Sequence, residues 1–209
     1  RQRMFFNCSS LTYLNLKNLI GRNISNLDHA FSECHKLTSL DLNNLEARPT
    51  YIRSMFQNCY SLETLEMPKL NIEKVEISQS LFENCYSLKS INIINFNLES
   101  SKYLEKIFKN CYSLTSIDLS KMETNNAIST HSLFENCERL TSLDLSSFST
   151  YNTHDMSYMF YNCHSLQSLN INFITSDVKN MQYMFGSCFK LTSLDIKSFD
   201  TSNVKNFTN

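Results

Sequence analysis

The chain has almost none of the residues that usually shape turns: two glycines and two prolines among 209 residues, and no tryptophan. Tight turns lean on Gly and Pro, so another residue must end each element here, and asparagine is the abundant candidate. No run approaches the roughly 18 to 20 consecutive apolar residues that a transmembrane helix needs. Arg1 to Cys8 also lack the apolar stretch of a signal peptide, so direct membrane insertion is not expected. Charge of one sign is missing as well. Nineteen basic and 20 acidic side chains leave a net charge of −1, which withholds the bulk field that nucleic acid exploits, so no nucleic-acid partner is expected.

Catalytic motifs are equally scarce. The five histidines, His29, His35, His131, His154 and His164, form no HxxxH or HExxH arrangement, and no glycine-rich loop exists to cradle phosphate. The reading is of a non-enzyme with no catalytic residues and no cofactor. What is present is 42% apolar and 12% aromatic residues, enough for a compact domain or an extended array with a continuous core.

The cysteines act as a ruler. Cys8, Cys34, Cys59, Cys85, Cys111, Cys137, Cys163 and Cys188 are spaced by 25 or 26 residues. Three residues before each stands a phenylalanine (Phe5, Phe31, Phe56, Phe82, Phe108, Phe134, Phe160, Phe185), and three after each a leucine (Leu11, Leu37, Leu62, Leu88, Leu114, Leu140, Leu166, Leu191). Six, eight and eleven residues after each Cys the side chain is again apolar, as in Leu143, Leu145 and Phe148 or Leu169, Ile171 and Ile174. Agreement in every copy makes this an internal repeat.

Each repeat has two halves. The apolar pair six and eight after the Cys flanks a polar residue, the period-two pattern of a short strand buried on one face. Val178, Met181, Met184, Phe185 and Cys188 recur at helical spacing behind the N-cap residues Thr175, Ser176 and Asp177, which predicts a short helix. Ser78 and Thr130 break that pattern in their copies, where irregular or 3₁₀ turns are expected. One repeat cannot offset the ordering cost of its own backbone, so the repeats must stack. The expected fold is α/β: a right-handed solenoid with a parallel β-sheet on one side and short helices or 3₁₀ turns on the other. Residues 1–209 read as a single array of about eight repeats.

The segments Met159 to Ile171 and Met184 to Ile196 resemble BspA-type leucine-rich repeats, of the form MFxxCxxLxxLDL. The continuations Phe199 to Val204 and Ile174 to Met181 fit the phenylalanine, Thr-Ser and Val-xx-Met that follow in that family. The resemblance implies a right-handed leucine-rich-repeat solenoid serving as a non-catalytic interaction or adhesion module of secreted or cell-surface proteins of bacteria and protists. It carries no catalytic residues.

The repeated columns differ in what they offer. A Cys in every coil admits a disulfide framework, a metal site or buried thiols. No CxxC pair exists to hold a metal. Stacked equivalents about 4.8 Å apart with parallel Cα–Cβ bonds fit a disulfide poorly, so free thiols acting as small core residues are favoured. Asn precedes the Cys in six copies (Asn7, Asn58, Asn84, Asn110, Asn136, Asn162), with Glu33 and Ser187 as the exceptions, and tolerates the left-handed conformation that an element end needs.

Between the strand apolars lie Asn15, Asp41, Glu66, Asn92, Asp118, Asp144, Asn170 and Asp195, pointing away from the core behind a row of hydroxyls. This polar, mildly acidic face either receives a protein or glycan partner or is simply solvated. Directly after the Cys, Tyr60, Tyr86 and Tyr112 form a ribbon of rings that either anchors a partner or stabilises the stack. Asp41, Glu66, Asp118, Asp144, Asp195, Tyr60, Tyr86 and Tyr112 are therefore the candidate partner-binding residues. Val204 and Phe207 fall in register for a further repeat, and neither end carries a polar cap, so the chain is expected to belong to a longer array or an assembly. The competing reading is a structural spacer inside a cell-surface, cytoskeletal or ciliary lattice.

Overall fold

The computed structural model describes residues 3–16, 18–19, 21–92 and 96–208. Five short strands recur at the repeat interval: β1 (Ser39–Asp41), β2 (Thr64–Glu66), β3 (Ser90–Asn92), β4 (Ser142–Leu145) and β5 (Ser168–Ile171). They form two parallel sheets, β1-β2-β3 and β4-β5. The register is coil on coil: Leu40 lies opposite Leu65 and Leu65 opposite Ile91, while Leu143 lies opposite Leu169. Because the side-chain period in a strand is two, this register sends the leucines of each pair to the same face. Leu40, Leu65 and Leu143 are buried beside exposed hydroxyls and acids. The inward position expected at Ile93 lies outside the described residues.

A second parallel ladder, one residue wide, runs along the other side. Asn26, Tyr51, Ile77, Tyr103, Ser129, Asp155, Asn180 and Asn206 bridge in succession. Next to it the expected helix is absent. Among the described residues no helix forms, and the segment lined by Val178, Met181 and Met184 is a run of turns, although those side chains are buried as their spacing requires.

The reason lies in where the amides point. In the coil of Cys137, the N–H groups of Thr130, Ser132, Phe134 and Asn136 donate to carbonyls of Asp155, Ser157, Met159 and Tyr161 in the next coil, at 2.8–2.9 Å. The amides between them, on Leu133 and Glu135, and those of Cys137 and Leu140 close turns within the coil at 3.1–3.3 Å. A helix would spend every amide on its own segment, and a piece this short gains little from doing so. Stacking satisfies both sets. The geometry requires two left-handed residues per coil, five and one before the Cys: Ser54 and Asn58, Lys106 and Asn110, Tyr183 and Ser187, with φ between 52° and 62°. Positive φ at the third residue of a turn is what type II turns demand, and it interrupts a helix.

The core is a set of columns. From Phe5 to Phe185 the phenylalanines stack with ring centroids 5.3–5.8 Å apart and planes within 16°. Leu37, Leu62, Leu88, Leu114, Leu140 and Leu166 are fully enclosed beside them. The two hydroxyls that replace apolar residues are paired: Ser78 Oγ meets Ser101 Oγ at 2.8 Å and donates to the Tyr103 carbonyl, and Thr130 Oγ1 donates to the Asp155 carbonyl. One column slips. Ile174, eleven after its Cys, is exposed, and Phe173 takes the inward place against Phe148 and Phe199. Asp144 Oδ1 accepts the Ser146 amide to build a turn between Leu145 and Phe148, whereas the corresponding turn after Ile171 is one residue shorter in this 25-residue repeat.

All eight cysteines are free thiols: Cys34 through Cys163 are buried, Cys188 is partly covered and Cys8 is exposed. From Cys34 onward each Sγ donates to the carbonyl of the phenylalanine one coil back, at 3.1–3.3 Å. Burial pushes the Cys34 and Cys188 thiols up to about 11 and raises those between them well above the ordinary thiol value. A thiol so raised is protonated and inert at neutral pH.

Candidate functional site

The sheet face presents Asp41 in β1, Glu66 in β2 and Asp144 in β4, with Asp118 and Asp195 at the same place in coils whose strand is not formed; all five are exposed. Four of them also do local work. The Oδ1 atoms of Asp41, Asp118, Asp144 and Asp195 accept the amides of Asn43, Ser120, Ser146 and Lys197 at 2.9–3.1 Å, closing an Asx turn at the exit of the strand position. Hydrogen bonds from the Ser120 hydroxyl and amide hold Asp118 below the usual carboxylate range; the Ser146 hydroxyl and amide do so for Asp144, and the Lys197 amide for Asp195. Asp118, Asp144 and Asp195 are therefore held ionised, and all four aspartates are directed by the backbone and still open to solvent. Asn170 instead donates its amide to Asp144 Oδ1.

The aromatic ribbon is longer than its three tyrosines. His35 stacks on Tyr60 at 4.6 Å, Tyr60 on Tyr86 at 4.8 Å, and Tyr86 on Tyr112 at 5.3 Å with a 39° tilt. The series is broken at Glu138 and resumes with His164 on Phe189. The inner ring faces cover one another, so an incoming partner meets ring edges and phenol groups. Tyr86 is 38% exposed, whereas Tyr60 and Tyr112 are half-buried. Burial, followed by the neighbouring Tyr86, raises the phenol pKa of both Tyr60 and Tyr112. Tyr60 and Tyr112 thus offer protonated hydroxyls on either side of Tyr86.

Sequence reasoning missed two constructions. The first is a chain of amides: Asn162, Asn136, Asn110 and Asn84 each donate through Nδ2 to the Oδ1 of the asparagine one coil back, and Asn58 donates to Glu33 Oε1, all at 2.5–2.7 Å. Recurrence of Asn before the Cys was its signal. The second is a polar network on the turn side. Ser157 Oγ donates to Asp155 at 2.6 Å and sits 2.8 Å from His131 Nδ1, while His131 Nε2 lies 3.1 Å from Ser132 Oγ.

That chain resembles the order of a serine nucleophile, a base and an orienting acid, with the Ser157 hydroxyl standing between the imidazole and the acid. Ser132, however, is 0% exposed, so no substrate carbonyl reaches its Oγ in this structure. Burial lowers the His131 pKa, which leaves a neutral imidazole as a structural hydrogen-bonding group. The left-handed residue five before the Cys had no sequence signal, because Arg3, His29, Ser54, Lys106 and Tyr158 share no chemistry. Among the described residues no group of three or more His, Cys, Asp or Glu is placed to hold a metal ion, and no helix is long and apolar enough to cross a membrane.

A family model described as "Mycoplasma protein of unknown function, DUF285" matches residues 1–117, 50–173 and 128–209, the whole chain in overlapping pieces. Among solved structures, a leucine-rich repeat protein from Bacteroides ovatus ATCC 8483 is similar over 100% of the chain, with 22% identity and a TM-score of 0.48. The chain spans 62% of that protein's length. No curated protein matches the chain. The family match over the full length is consistent with the BspA-type resemblance of the repeats.

Proposed function

Because the chain belongs to the DUF285 family, whose description assigns no activity, we propose its function from the site: a non-catalytic protein-interaction module that binds a protein partner through the sheet face and the aromatic ribbon. A stacked-repeat array of this kind is an interaction or structural unit. The observation that carries the reading is the set of exposed carboxylates held in a fixed direction by Asx turns on a stack whose backbone is tied up in coil-to-coil bonds and turns within the coil. Such a face is pre-ordered and loses little side-chain freedom on binding. The partner it suits is a basic or hydroxyl-rich protein surface; a glycan suits it less, because the ring faces are mutually covered. By resemblance to the BspA-type repeats the setting is the cell surface or a secreted protein.

The test compares capture of surface proteins from the source cells by the immobilised chain, by an Asp41→Lys/Asp118→Lys/Asp144→Lys variant and by a turn-side Lys74→Glu/Lys102→Glu variant. Loss confined to the sheet-face variant supports the proposal, and equal capture by all three sinks it.

The second reading, a structural subunit in a larger lattice, is favoured by exposed rings away from the sheet face, Tyr103 and Tyr151. It requires partners on several faces, so the turn-side variant would lose capture as well.

A further inference from the structure

On one edge of the stack basic side chains fall on three adjoining rungs. Ile128, His154, Lys179 and Lys205 occupy equivalent places where successive coils enter their turns. The amides of His154, Lys179 and Lys205 donate to the carbonyls of Ile128, His154 and Lys179, each at 2.9 Å. This backbone pairing fixes three basic side chains on adjoining rungs, about 4.8 Å apart by the spacing of paired strands. All three are exposed, and together with Asp177 and Asn203 they line an open groove of about 380 Å³.

Like charges on adjoining rungs destabilise a ladder. Some cations of other coils meet a carboxylate of the neighbouring coil: Arg22 meets Glu46 at 2.9 Å, Arg53 meets Asp28 at 3.3 Å, Lys89 meets Glu63 at 2.6 Å and Lys109 meets Glu135 at 2.8 Å. Others among the described residues, such as Lys74 and Lys102, are exposed without an ion pair but do not fall beside a second lysine of the same column. Among the described residues neither Lys179 nor Lys205 is ion-paired, and the groove holds a single acid, Asp177. Places where a local rule is broken without internal compensation are where function is expected.

We propose that this groove binds a tetrahedral oxyanion, a sulfate or phosphate group bridged by the Lys179 and Lys205 ammonium groups with the His154 imidazole on one side. A tetrahedral anion presents oxygens in several directions and so serves two donors at rung spacing through charge-assisted hydrogen bonds. The site lies off the sheet face and does not depend on the function proposed above. With a net charge of −1 the chain supplies no bulk attraction, so binding is local, in the millimolar range for a free ion, and weakened by salt.

The test is an amide NMR titration of the 209-residue chain with inorganic phosphate, inorganic sulfate and a heparin-derived tetrasaccharide, with ionic strength held constant by sodium chloride. Saturable shifts centred on His154, Lys179 and Lys205 are expected. Lys179→Gln/Lys205→Gln should weaken them about tenfold, and Asp177→Asn, which removes the competing carboxylate, should tighten binding about twofold to fivefold. Affinity at least tenfold higher for the tetrasaccharide assigns the oxyanion to a sulfated saccharide, while equal affinity for all three probes assigns it to a free ion. Shifts that never saturate, that spread over the whole surface, or that persist unchanged in a double variant with a native spectrum overturn the proposal.

Discussion

The thiol of Cys111 donates to the carbonyl of Phe82, one coil back, at 3.3 Å, and the same carbonyl accepts the amide of Cys85 in its own coil at 3.1 Å. One oxygen thus closes a turn and ties two coils together, and the arrangement recurs along the stack. The cysteine is more than a small apolar filler, because its sulfur fills space that alanine leaves empty and its S–H reaches a carbonyl that valine cannot serve.

Cys111→Ala should lower stability by about 1–2 kcal/mol through lost packing and a lost weak hydrogen bond, read as a lower urea midpoint. In the native wild-type chain, maleimide should label Cys8 quickly, Cys188 slowly and the six buried thiols only after unfolding, as mass spectrometry would show. Rapid native labelling of Cys111 would contradict the enclosed column.

Asn110 is held at φ 61° while its amide links Asn84 and Asn136. Asn110→Gly keeps the backbone freedom and loses the amide links, at a cost of about 1 kcal/mol. Asn110→Ala adds the left-handed penalty of roughly 1–2 kcal/mol for a residue with a Cβ. Denaturant melts should rank wild type above Gly and Gly above Ala, and an Ala variant as stable as the Gly variant would exclude the left-handed role.

Two turn-side groups predict opposite pH effects. Burial raises the Glu105 pKa above 4.5, and its Oε2 is enclosed without a hydrogen-bond partner. Its favourable contribution is present below pH 4.5 and is lost as pH rises through the folded-state value, so the ionised form is a burden at neutral pH. Glu105→Gln should therefore raise the melting temperature at pH 7 and change it little near pH 4.

His131 shifts the other way. Burial lowers its pKa from 6.5, so the stability it contributes is present above pH 6.5 and is lost as pH falls through the folded-state value. The melting temperature should drop between pH 6.5 and 5, and the drop should be smaller in His131→Gln. A flat wild-type profile over that window would rule out a buried neutral imidazole.

Removing Tyr86 breaks two ring contacts, to Tyr60 and Tyr112. Tyr86→Ala should cost roughly 1–3 kcal/mol, while Tyr86→Phe should retain the stack and remove only the phenol. Partner capture reduced by Phe as strongly as by Ala would assign the binding to the hydroxyl row; capture reduced only by Ala would assign it to the order of the ribbon.

The repeat itself fixed which residues go inward, because a column needs the same size and polarity at every rung: Phe31, Cys34, Leu37 and Leu40 are legible from recurrence alone. The outward acids were legible for the same reason. Their Asx turns were not, since an aspartate reads the same whether it caps a turn or merely faces water.

By itself, the sequence determined the period, the parallel register and the identity of the buried columns, save where Phe173 replaces Ile174. Only the tertiary structure decided that the turn side would not be helical. Helical spacing at Val178, Met181 and Met184 says which side chains are buried and nothing about where the amides point. Once coils lie one rung apart, a carbonyl in the next coil competes with the one four residues back. Tyr183 and Ser187 take left-handed φ so that alternate amides can reach it. That choice belongs to the stack, because the competing acceptor is more than 20 residues away in sequence and becomes a neighbour only when the coils are assembled.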